Sequence, residues 1–199
     1  MSRFIETICF EKGTYPLLAW HQQRVVSTFK KHFPGMHPHQ LTDTLPTLSF
    51  EERYKVRVVY DAELTEVEFS QYTLRALKRI QLVHDDSISY TYKYENRKAL
   101  TKLFEQRGSA DEILIVKKGA LTDSYFANVV FWDGEAWWTP KTYLLNGVRR
   151  QQLISMGKIK EVEMTIDDLR SFEKVSLVNA MVDLGESELP VSEVRGINS

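Results

Sequence analysis

The sequence is short of several things, and each shortage removes a class of protein. It has one cysteine, Cys9, which excludes an intramolecular disulfide and fits a reducing, cytoplasmic compartment. Nine glycines and six prolines in 199 residues leave no biased or linker-like stretch, so a compact fold is expected throughout. Charge of neither sign dominates: 26 basic residues against 27 acidic ones give a net charge of −1. They are mixed along the chain, which argues against a nucleic-acid or membrane-surface partner. No apolar run is long enough to cross a bilayer, and no basic start with an apolar stretch reads as a signal peptide. His37 and His39 flank Pro38 without a third ligand at metal-site spacing, so they read as solvated and no metal is expected. G-x-S-x-G, H-E-x-x-H and a glycine-rich dinucleotide fingerprint are all absent from the sequence.

What is present is ordinary globular material, 43% hydrophobic and 27% charged. The pattern predicts an α/β (α+β) fold with a small N-terminal domain, 1–84, and a larger C-terminal mixed domain, 85–199. In the first, Phe4–Phe10 alternates like a strand and Tyr15–Leu18 reads as a short return. Trp20, Val25, Phe29 and Phe33 recur at helical spacing until Pro34-Gly35 stops them. A loop follows, with a short helix expected near Ser49. Lys55–Tyr60, Leu64–Phe69 and Arg79–His84 then read as strands. The second domain offers a helix over 96–106, a buried strand over 113–116, and a hairpin around Asp133-Gly134. Beyond these come a helix over 147–156, a capping-box helix start at Thr165–Asp168, and strands over 175–178 and 191–195.

Four local features can carry chemistry. Lys93 sits among Tyr90, Tyr92 and Tyr94 between a strand region and a helix start. Partial burial there would lower an ammonium pKa towards what imine chemistry needs, although a lysine at such a junction is more often solvated. Gly147 opens a helix after a proline-bearing loop, and the amides at such a start form an anion site; one glycine is a weak signal. Arg24 on the first helix is either a snorkelling surface residue or a bidentate phosphate ligand. Asp123, between two apolar segments, reads locally as a turn residue.

Taken in order, these segments resemble the class IV aminotransferase family, the fold type IV enzymes of pyridoxal 5′-phosphate. Glu6-Thr7-Ile8 is similar to its F-E-T-I strand and His21-x-x-Arg24 to its H-x-x-R. Lys93-x-x-Asn96-Arg97 resembles the lyase-like K-x-x-N-R, and Thr122-Asp123 with Ala127–Phe131 resembles T-E-x-x-x-A-N-L-F. Thr139-Pro140, Asn146–Arg150 and Val178–Met181 match further segments, so the resemblance runs from Ile5 to about Val191. It implies that Lys93 carries the cofactor as a Schiff base and acts as the catalytic base. It further implies that Asp123 faces the pyridine nitrogen, and that Arg24, the Gly147-Val148-Arg149 backbone and Asn179 hold the phosphate. Asp123 stands where the family has glutamate, one methylene longer. The family segment ahead of the F-E-T strand, which bears on substrate choice, has no match in this chain. A homodimer with active sites near its interface is implied, acting on a small amine. The K-x-x-N-R and V-N-A-M details point to a lyase that converts 4-amino-4-deoxychorismate to p-aminobenzoate and pyruvate in folate synthesis. An aminotransferase acting on a D- or branched-chain amino acid is the alternative, and a non-catalytic binding protein of the same fold is a third reading.

Overall fold

A computed structural model describes residues 2–47 and 49–197. The chain divides into two compact units. One takes the sequence up to Leu74 together with Tyr92–Asn96, and the other takes Arg75–Thr91 and everything from Arg97 onward.

In the first unit, β1 (Phe4–Phe10) is followed by α1 (Leu18–His32), a short α2 (Leu41–Thr44), β2 (Tyr54–Tyr60) and β3 (Leu64–Gln71). The three strands form one antiparallel sheet in the order β1-β2-β3, with Phe4 opposite Tyr60 and Phe10 opposite Tyr54. Helix α1 buries His21, Val25, Thr28 and Phe29, and its last turn carries Lys30, Lys31 and His32, where cations suit the helix dipole. Val25, Phe29 and Phe33 pack with Phe4, Ile8, Phe10, Val56 and Val58 to make the core. Tyr15–Leu18 is not a return strand. Tyr15 leaves the sheet, its hydroxyl donating to the Pro46 carbonyl (2.6 Å), and Leu18 begins α1. The short helix lies at Leu41 rather than near Ser49, because Gln22 Oε1 accepts the Leu41 amide (2.8 Å) and Leu41 is buried. His39 is packed rather than solvated, edge-on to Phe29 and Tyr60.

The second unit holds β4 (Ile80–His84), α3 (Lys98–Phe104), β5 (Glu112–Lys117), β6 (Ala120–Ser124), β7 (Asn128–Trp132), β8 (Trp137–Pro140) and α4 (Val148–Ser155). It continues with β9 (Lys160–Val162), β10 (Lys174–Val178), β11 (Glu188–Pro190) and β12 (Val194–Arg195). Seven of these strands run in the order β11-β10-β7-β6-β5-β4-β12, with β8 pairing β7 and then β9. The first cut between units falls after Leu74, not near residue 84, because β4 pairs in parallel with both β5 and β12. Strand β6 has no apolar alternation to announce it, yet Leu121, Thr122, Asp123 and Ser124 are all buried. Lys118 and Gly119, at φ 52° and 79°, make the tight turn that returns it antiparallel to β5. Asp123 is therefore a strand residue. Thr165–Asp168 opens a 3-10 turn over Asp167–Ser171, with Asp168 Oδ2 accepting the Thr165 amide (2.7 Å). The expected strand over 191–195 is broken by a 3-10 turn at Val191–Glu193 before β12.

Candidate active site

In the first unit, Glu6 is a glutamate inside a largely apolar strand, and it is fully buried. Its Oε1 accepts from Arg24 Nε (2.8 Å), and its Oε2 accepts from Arg24 Nη2 and from His21 Nδ1 (2.5 Å). Burial pushes this carboxyl up, but the Arg24 guanidinium and the hydrogen bonds from Arg24 and His21 outweigh it and hold the pKa at about 2. An ionised carboxylate only accepts, so His21 donates through Nδ1. Burial lowers the His21 pKa, leaving neutral imidazole with a buried Nε2 that has no hydrogen-bond partner. His21 and Arg24 sit three apart on α1 and so share its face towards β1.

Lys93 lies along the other edge of β1. Its carbonyl accepts the Ile5 amide (2.9 Å), and Glu95 donates its amide to Arg3 (2.9 Å). The Tyr94 amide closes on the Tyr92 carbonyl (2.8 Å), making a three-residue turn with Lys93 at its apex. The two tyrosines anchor that turn in the core: Tyr92 packs edge-on to His32, and Tyr94 stacks at a tilt on Phe4. After burial, the positive charges of Arg24 and Lys93 add to the lowering of the His21 pKa.

In the second unit, Asp123 is buried near the end of β6 and faces only neutral donors. Oδ1 accepts from Asn128 Nδ2 (2.8 Å), and Oδ2 accepts the amides of Leu144 (3.0 Å) and Leu145 (2.8 Å). Burial raises its pKa to about 6 despite these bonds and the more distant positive charge of Arg150. Asn128 also donates to the Leu145 carbonyl (2.9 Å), tying the start of β7 to the loop ahead of α4. Gly147 closes this arrangement: a Cβ there would meet Asn128 Oδ1 at 2.1 Å, so only glycine permits the approach. Arg150, also buried, spans the same loop through the Pro140 carbonyl (2.9 Å) and Asn146 Oδ1 (3.1 Å) and reaches Glu161.

Helix α4 begins at Val148 with no capping side chain, so the amides of its first turn are available to an anion. Arg149 bonds Gln152 (2.8 Å) and Asp183 (3.3 Å). Asn179 caps its own turn, with Oδ1 accepting the amides of Met181 (2.7 Å) and Val182 (3.1 Å). Its amide group reaches the Phe126 carbonyl (3.4 Å).

A sequence model of class IV amino-transferases matches residues 4–193, nearly the whole chain. The chain belongs to the class IV aminotransferase family. An uncharacterized protein of Haemophilus influenzae is 33% identical over 186 residues, 91% of this chain and 98% of that one. A Haemophilus somnus structure described as a candidate 4-amino-4-deoxychorismate lyase is 29% identical, with a TM-score of 0.87 over 92% of this chain and 98% of that chain. A Mesorhizobium loti structure described as a candidate amino-acid aminotransferase has a TM-score of 0.78 at 20% identity, covering 96% of this chain and 98% of that one; this likeness is one of fold.

Membership in the class IV aminotransferase family makes this chain an enzyme that works with pyridoxal 5′-phosphate. Among the described residues no helix is long and apolar enough to cross a membrane. Sequence reasoning singled out Arg24, Lys93, Asp123, Gly147, Val148, Arg149 and Asn179, but it gave no role to Glu6, Asn128, Glu112 or Arg150. Glu6 had a visible signal, a carboxylate inside an apolar strand pattern. Asn128 and Arg150 lay inside matched segments without anything local to show that they are buried.

Proposed function

We propose that this chain is the lyase that splits 4-amino-4-deoxychorismate into p-aminobenzoate and pyruvate. The observation that carries this reading is the likeness to the Haemophilus somnus structure of that description, over nearly the full length of both chains. The K-x-x-N-R segment around Lys93 supports it.

The donor set fits the cofactor. Asp123 is a buried carboxylate held by an amide side chain and two backbone amides, with no ion pair among the described residues. A protonated ring nitrogen supplies the missing positive charge, and Oδ1 retains a lone pair to accept it. The uncapped start of α4 at Gly147-Val148-Arg149 suits a phosphate, with Arg24 and Asn179 as its side-chain ligands. When bound, the cofactor withdraws electrons from the carbon bearing the substrate amine.

Lys93 Nζ takes the proton from that carbon as general base. The carbon–oxygen bond to the enol-ether side chain on the neighbouring carbon then breaks, the ring becomes aromatic, and the side chain leaves as an enolate that takes up a proton at its methylene carbon to become pyruvate. Glu6 holds the Arg24 guanidinium in its orientation, and Asp123 would set its negative charge against the ring nitrogen when the cofactor is bound.

We take the working form to be a cytoplasmic homodimer, as the short three-stranded first unit suggests; light scattering returning a monomer mass would overturn that. The purified protein with 4-amino-4-deoxychorismate and no 2-oxo acid should release p-aminobenzoate and pyruvate in equal amounts. Glutamate formed from an amino acid only when 2-oxoglutarate is added, without p-aminobenzoate, would establish the aminotransferase instead. Borohydride treatment followed by peptide mapping should leave the pyridoxyl group on Lys93, and a label on another lysine would sink that assignment.

A further inference from the structure

The turn from β6 to β7 carries Asp123 at one end and Asn128 at the other, and these two residues are register partners. Ser124 closes the turn on itself. Its amide donates to the Ala127 carbonyl (2.9 Å), and its Oγ accepts the Ala127 amide (3.0 Å). The Tyr125 peptide is held from outside, its amide by Glu112 Oε1 (3.0 Å) and its carbonyl by the Arg97 guanidinium. The β5–β6 ladder has its outermost pair at Leu114 and Ser124, so the next amide finds no backbone acceptor and the Glu112 side chain supplies one.

Glu112 is fully buried at the head of β5. Its Oε1 also accepts the Ile113 amide (2.8 Å), while its Oε2 has no hydrogen-bond partner. Burying a carboxylate without an ion pair is costly, and packing alone would be better served by an apolar residue. The cost falls at a position from which the side chain reaches the Tyr125 amide. The Tyr125 ring is fixed as well, stacked on Phe104 (4.5 Å) with the Arg97 guanidinium against it (4.3 Å).

We propose that Glu112 is a positioning residue for the reaction, setting the turn that holds Asp123 opposite Asn128 and thereby fixing the Asp123 carboxylate for the cofactor ring. This rests on the reading of Asp123 as the ring-nitrogen partner. What Glu112 supplies is an acceptor at a fixed reach, so the neutral Gln, which keeps that reach, replaces it. Asp keeps the charge but falls a methylene short.

Three variants test this. Glu112→Gln should behave as the parent. Glu112→Asp and Glu112→Ala should lower kcat roughly 10- to 100-fold, leave KM nearly unchanged, and shift the absorption of the bound cofactor. In the cofactor-free protein, both should lose hydrogen-exchange protection at the Tyr125 amide while Val129–Phe131 in β7 stay protected, which shows that the unit is still folded. Retained Tyr125 protection and a parental cofactor spectrum in Glu112→Ala would overturn the proposal. So would the reverse order, with Asp functional and Gln impaired, since charge rather than reach would then matter. Asp123→Asn measured alongside separates the two readings. If it leaves kcat and the spectrum unchanged while Glu112→Ala opens the turn, the assignment of Asp123 fails and the link from Glu112 to catalysis falls with it.

Discussion

Glu6 and Asp123 are both withdrawn from water, one in each unit, and their acidities move in opposite directions. Glu6 has a guanidinium and an imidazole against it and is held at about 2. Asp123 has three hydrogen bonds, all from neutral groups, and rises to about 6. Hydrogen bonds to a carboxylate favour its charged form, but a facing cation is what offsets the loss of water. Glu6 is therefore a finished ion pair whose task is to hold Arg24. Asp123 has no ion pair among the described residues, and in the role proposed above its compensating charge would come with the cofactor. One carboxylate has its ion pair within the protein and the other has none among the described residues, and substitution should separate them.

The largest effect is expected at Glu6. Glu6→Gln leaves Arg24, mostly buried, without its counter-ion, and this should destabilise the protein by roughly 3–5 kcal/mol. Urea unfolding of the cofactor-free protein measures it. A loss below about 1 kcal/mol, the range of an exposed pair, would mean that the cluster is not the closed ion pair described here.

At Asp123 the effect should move from stability to rate. If Asp123 is the ring-nitrogen partner proposed above, Asp123→Asn removes the charge that keeps that nitrogen protonated, and kcat should fall roughly 10²–10³-fold, as when a preorganised electrostatic partner is lost elsewhere. Stability should change far less than in Glu6→Gln, because no ion pair is broken. Parental kcat in Asp123→Asn would reduce this carboxylate to a structural acceptor.

Both sites were partly legible in the sequence. Arg24, Lys93 and Gly147 were singled out by the family resemblance, since a lysine at a junction, an arginine on a helix and one glycine at a helix start are each weak signals alone, and their roles stay proposals. The strands of the first unit were plain, since Val56, Val58 and Val67 alternate. The local pattern made Asp123 look like a turn residue because Leu121-Thr122-Asp123-Ser124 lacks the apolar alternation of a half-buried strand, and only the family resemblance set it apart as a placed charge. The strand is buried on both faces, and its polar side chains are satisfied by Ile115, Asn128 and the 144–145 amides. Glu112 was hidden for the same reason, since its partner is a backbone amide 13 residues away in sequence. The break near residue 84 looked like a boundary because Asp85-Asp86-Ser87 interrupts the pattern. Only the parallel pairing of β4 with β5 and β12 assigns that strand to the second unit.

The smallest effect, and the one that sets the two carboxylates directly against each other, is the pH dependence of stability. For Glu6 the folded pKa, about 2, lies below the ordinary glutamate value of 4.5. Its stabilising contribution is therefore complete above pH 4.5 and is lost as pH falls towards 2. For Asp123 the folded value, about 6, lies above 3.8. Between these two values the folded chain holds a proton that the unfolded chain has released, so stability declines as pH rises from about 4 to about 6, by up to roughly 3 kcal/mol. Glu112, raised by burial to about 7, adds a decline of the same sign that extends further towards neutrality. The part due to Asp123 is thus the difference between the parent and Asp123→Asn, measured without cofactor by urea unfolding at intervals from pH 4 to pH 7. The variant should decline less steeply below pH 6 and run parallel to the parent above it. Glu6→Gln should instead keep the parental decline and lose the rise in stability between pH 2 and 4.5. If Asp123→Asn declined as steeply as the parent between pH 4 and 6, Asp123 would already be ionised in the cofactor-free fold. The contrast between a finished ion pair and one awaiting its cation would then fail.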